Sequence, residues 1–81
     1  MDVADQLKPR GTRADWASAD EIGLFKRVSR LRATYQVRLL LYFAIEQGRR
    51  LVIVVPAGCF IDGALEQLGS QFPGRLVIRR S

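Results

Sequence analysis

The side chains able to do chemistry are few, and their spacing rules out more than it supports. Cys59 follows the apolar run Leu51–Val55 and stands just ahead of a helical pattern, where a thiol can serve as a nucleophile. The chain has no histidine and no second cysteine, so neither a Cys–His pair nor a Cys-x-x-Cys motif exists. A Cys-x5-Arg phosphate loop needs arginine at position 65, where this chain has Leu65. A free cysteine usually fills space as a small buried hydrophobe, the simpler role for Cys59. Gly58-Cys-Phe-Ile-Asp-Gly63 has the glycine gap of a nucleotide phosphate loop, but Ala64 and Leu65 replace the Lys and Ser/Thr that touch phosphate and metal. Asp62 and Glu66 stand four apart, a carboxylate pair too small for a metal or acid–base set and ordinary at a positive helix end. No catalytic residue, cofactor site or metal site is assigned, and an enzyme is not expected.

Clustered charge is the stronger signal. Lys26-Arg27-Val28-Ser29-Arg30-Leu31-Arg32 places four bases in seven residues. Backbone contacts to nucleic acid need little more than such clustering. The competing role is a solvated basic face. Arg79 and Arg80 add a second basic pair. The candidate polyanion-binding set is therefore Lys26, Arg27, Arg30, Arg32, Arg79 and Arg80. The partner so implied is nucleic acid or an acidic protein. Neither helix-turn-helix spacing nor an RNA-binding aromatic motif accompanies the cluster, and Tyr35, Tyr42 and Phe43 read as core or interface.

The net charge of +5 is unevenly placed. Residues 1–21 hold five acids and three bases, a sum of −2; residues 22–81 hold ten bases and three acids, a sum of +7. Eleven of the thirteen bases are arginine, whose planar fork suits phosphate and carboxylate, although codon habit gives the same ratio. A chain of 81 residues makes one domain. No apolar run approaches the ~18 residues of a membrane helix, so no membrane partner is expected. The acidic start, Met1-Asp2-Val3-Ala4-Asp5, does not read as a signal peptide, and a single cysteine suits a reducing cytoplasm.

The elements that position these residues follow from periodicity. Residues 1–15 read as a flexible arm, and 16–81 as a single small domain. Ser18-Ala19-Asp20-Glu21 has the form of a capping box, with Trp16 ahead of it as a staple. Ile22, Phe25, Val28 and Leu31 recur at threes, which predicts a helix over 19–31. A second helix is expected over 35–47, capped by Thr34 and ended at Gly48; a strand over 37–45 is the rival reading. Leu51–Val55, apolar on both faces, predicts an inner strand of a parallel sheet. A helix over 58–69 and a strand over 76–80 follow, with no internal repeat. The expected fold is α/β (or α+β), two N-terminal helices followed by a βαβ unit of two parallel strands, order α-α-β-α-β.

Two strands give an inner strand too little cover. That shortage predicts a homo-oligomer, with a dimer favoured, extending the sheet across a two-fold axis. The βαβ unit also places the end of strand 51–55, Arg79 and Arg80 at one carboxyl edge, where open α/β sheets bind ligands. Arg49, Arg50 and Arg75 mark the opposite edge.

Overall fold

The computed structural model describes residues 14–81. Among them lie six strands and two helices: β1 (Trp16–Ala17), β2 (Glu21–Phe25), β3 (Arg30–Leu31), α1 (Tyr35–Glu46), β4 (Arg50–Val55), β5 (Phe60–Ile61), α2 (Gly63–Gln71) and β6 (Leu76–Arg80). The main sheet has the order β1-β2-β4-β6. β4 runs parallel to β2 on one side and to β6 on the other, and β1 pairs antiparallel with β2. β3 and β5 form a separate two-stranded parallel ladder. The chain thus repeats one path twice: strand, short strand, helix.

The expected order α-α-β-α-β is corrected. The first helix is absent; residues 21–25 are a strand and 30–31 a short strand. The reason lies in Gly23. Ile22 and Leu24 alternate onto the helix-covered face, while Gly23 clears the other face for the Trp16 indole. A Cβ at Gly23 would fall 1.8 Å from that ring. Phe25 and Val28, two positions of the supposed helix stripe, are exposed. The Ser18 hydroxyl does accept from the Glu21 amide, at 3.3 Å, but it closes a hairpin turn, with Ser18 N donating to the Glu21 carbonyl at 2.8 Å. Trp16 is accordingly a sheet-face residue, its Nε1 donating to Glu21 Oε1 at 3.2 Å.

The other elements need smaller corrections. α1 is a helix, with the Thr34 hydroxyl accepting from Val37 N. Gly48 follows it at φ +70°, a conformation that glycine adopts without strain. α2 begins at Gly63, five residues later than expected, because 60–61 pairs with 30–31 and Asp62 becomes the cap. Phe60 therefore leaves the helix face and is exposed. The expected arm lies outside the described residues except for Ala14 and Asp15. Asp15 is tied to β2, its N donating to the Gly23 carbonyl at 2.8 Å.

The core occupies one face of the sheet. Ile22, Leu24, Leu51, Ile53 and Val55 meet Val37, Leu40, Leu41 and Ala44 of α1 and Leu65 of α2. Two crossovers of the usual right-handed sense, moving across the sheet in one direction, put both helices on this face. The opposite face carries Gly23 and Val52. Val52 is fully buried, yet it stands outside the main cluster. Its row is crossed by Arg79, whose Nη2 lies 4.0 Å from Glu21 Oε2 although Arg79 pairs with Val54 two positions further along β4. No described helix is long and apolar enough to cross a membrane.

Candidate nucleic-acid interface

The three parallel strands end side by side. Lys26 extends the ladder beyond β2, donating its backbone N to the Val54 carbonyl at 2.9 Å; Ser81 N donates to the Val55 carbonyl at 3.0 Å. Above these ends the two strand-to-helix connections, 26–34 and 56–62, run alongside each other. They are clipped by Phe60 N to Ser29 O at 2.8 Å and Asp62 N to Leu31 O at 2.9 Å. Between strand ends and connections lies an open groove of about 970 Å³. Phe25, Val28, Val54, Val55 and Pro56 give it apolar walls, and Lys26 and Arg27 give it charge. No acidic side chain among the described residues lines it.

The candidate bases occupy this edge unequally. Lys26 Nζ donates to Gln36 Oε1 at 2.6 Å, which ties the first connection to the start of α1. Arg27 and Arg32 are exposed, with no side-chain partner among the described residues. Arg30 Nε stands 3.8 Å from Asp62 Oδ1, and its guanidinium lies 5.1 Å from the centre of the Phe60 ring, a cation–π pair. Arg80 Nη1 reaches back to the carbonyls of Ala57 and Cys59 and so holds down the second connection. Arg79 does not join the group; it points along the open sheet face toward Glu21. Of the expected set, Lys26 and Arg27 line the groove, Arg30 and Arg32 lie on the same connection, Arg80 anchors the neighbouring one, and Arg79 stands apart. Arg38 adds a base at the start of α1, its Nε donating to the Ala33 carbonyl at 3.2 Å.

The acids at this edge are already engaged. Asp15 Oδ2 accepts from Phe25 N at 2.7 Å. Asp62 accepts from Ala64 N and faces Arg30. Asp62 thus caps α2 instead of sharing a helical face with Glu66. At the far edge, Arg50 pairs with Glu21 at 3.5 Å, and Arg75 donates to the Arg49 carbonyl at 3.2 Å. Cys59 is buried among the core residues. Among the described residues no three acids or cysteines gather as a metal-ligand set.

The edge also carries apolar rings that the sequence periodicity assigns elsewhere. Phe25 is 60% exposed, Phe60 57% and Tyr35 67%. Phe25 sits at the end of β2, Phe60 on β5 and Tyr35 on the first turn of α1, all at the carboxyl edge. Of Tyr35, Tyr42 and Phe43, read from sequence as core or interface, Tyr35 and Tyr42 are exposed and so are not core residues. The usable signal was Ile22-Gly23-Leu24: a strand there puts Phe25 at its tip and the basic run in a loop.

Comparison of the chain with protein-family models, curated proteins and solved structures gives no match.

Proposed function

We propose that this protein is a small basic binding module, not an enzyme, that holds nucleic acid or a related polyanion at the carboxyl edge of its sheet. One observation carries the reading. The groove at that edge is flanked by Lys26 and Arg27 and, among the described residues, lined by no acid. Arg30 and Arg32 belong to the same connection as Lys26 and Arg27, Arg80 holds the neighbouring one, and the carboxylates of Asp15 and Asp62 are occupied. Neutralising phosphates with such a cluster releases condensed counterions, so affinity falls steeply with salt. A free, buried thiol suits the reducing cytoplasm.

The test is a binding isotherm with a labelled mixed-sequence oligonucleotide over a salt series. Wild-type protein is expected to show a steep logarithmic salt slope. Replacing Lys26, Arg27, Arg30 and Arg32 together by Ala should abolish binding, or flatten the slope by about 0.7 (single strand) to 0.9 (duplex) for each phosphate no longer neutralised. The pair Arg27→Ala and Arg32→Ala, which breaks no described side-chain interaction, separates weakened binding from misfolding. Unchanged affinity in the quadruple variant overturns the proposal.

A second reading, self-association as an assembly protein, is favoured by one feature. The outer edge of β6 has no strand partner among the described residues. Antiparallel pairing of two β6 edges about a two-fold axis would continue the sheet. A mass that rises with concentration in sedimentation equilibrium supports this; a monomer mass at high concentration overturns it.

A further inference from the structure

We infer that the polyanion is single-stranded nucleic acid, whose bases stack on Phe25, Tyr35 and Phe60 while Lys26, Arg27, Arg30 and Arg32 track its phosphates. This rests on the polyanion reading above and narrows it.

Three observations converge. First, of the five large apolar side chains most exposed among the described residues, Phe25, Val28, Tyr35 and Phe60 belong to the basic edge. Keeping rings in water is unfavourable, and their collection at one charged edge marks a contact surface. Second, rings and bases interleave along the chain and in space. Phe25 is followed by Lys26 and Arg27, Arg30 lies over Phe60, and Tyr35 starts the helix that carries Arg38. A groove that tracks a backbone beside sequence-tolerant aromatic platforms is the design that holds unpaired strands. The Arg30–Phe60 pair offers a flat guanidinium and a flat ring to the same ligand. Third, among the described residues the edge presents no element shaped for a duplex. α1 lies along the sheet with Val37, Leu40, Leu41 and Ala44 buried, so no helix length projects toward a major groove. Bases stacked inside a duplex have no free faces for the rings. Polyphosphate, heparin and an acidic peptide such as polyglutamate have no aromatic faces to lay on Phe60.

The test uses the full chain with four probes: oligo-dT of about 15 nucleotides, a duplex of the same phosphate number, heparin, and a polyglutamate peptide. Oligo-dT is expected to bind at least about tenfold more tightly than the duplex. Phe60→Leu, Phe25→Leu and Tyr35→Leu keep apolar volume at exposed positions and remove the ring; each should weaken oligo-dT by about 5- to 100-fold and leave heparin unchanged. Equal affinity for oligo-dT and duplex, or Leu variants that bind oligo-dT as wild type does, overturns the single-strand assignment. Tighter binding of polyglutamate also overturns it. If the Leu variants have no effect but the quadruple Ala variant loses all probes, the polyanion reading stands and only this inference fails. If the quadruple variant binds like wild type, both fail.

Discussion

The two strand-to-helix connections share a path and differ in almost everything else. Residues 26–34 and 56–62 each leave a parallel strand, form two residues of short strand and enter a helix through a capping oxygen, Thr34 in one and Asp62 in the other. The first carries four bases and no acid; the second carries no base and one acid. The second is held inward, with Cys59 buried and Arg80 gripping two of its carbonyls. The first sends Arg27 and Arg32 into solvent. One backbone solution has thus been used twice, once as a brace and once as an exposed basic rim. The lesson is that topology supplies the place and side-chain chemistry divides the labour.

Substitutions in matched positions can break or sharpen that contrast. The largest effect is expected from the apolar anchors of the short ladder. Leu31 is buried and Ile61 only half-buried. Leu31→Ala should cost about 3 kcal/mol and Ile61→Ala about 2 kcal/mol, measured by urea unfolding; a reversed order would show that the brace, not the rim, depends more on the core. Next come the caps. Asp62→Ala and Thr34→Ala should each cost about 1 kcal/mol. Asp62→Ala should also release Arg30 and strengthen oligonucleotide binding, which Thr34→Ala should not. The smallest effect is expected at Arg80. Arg80→Met should cost well under about 1 kcal/mol in global stability. Amide exchange at Ala57–Cys59 should nevertheless rise while that of 26–29 stays unchanged. Equal acceleration in both connections would mean that Arg80 is not the latch of one of them.

The sequence is legible where one period dominates. Leu51–Val55 reads as an inner parallel strand because both of its faces are apolar, and β4 has neighbours on both sides. The parallel partner over 76–80 and the helix over 35–46 are also legible, from a charged-end apolar run and a Thr34 cap. Residues 22–31 are not. Ile22, Phe25, Val28 and Leu31 satisfy a helical period by coincidence, and the deciding fact, that Trp16 sits on Gly23, is a contact across a hairpin. The same coincidence creates the apparent shortage of cover. β2 supplies from within the chain the neighbour that a second copy would otherwise have to provide. The basic cluster is legible as charge, but its companions are not. Phe25 and Phe60 both fit helix stripes, and only β2 for the one and the short ladder β3–β5 for the other show them to be surface rings.

The sole tryptophan lies 5.0 Å from Phe25, centre to centre, and Phe25 lines the groove. The molecule therefore contains its own optical probe. Excitation at the indole band reports on one ring that touches both the docked hairpin and the wall of the groove, without any attached dye. Gly23→Ala, by pushing the indole off its seat, should shift the emission of the free protein to the red. An oligonucleotide stacking on Phe25 should quench it in the wild type.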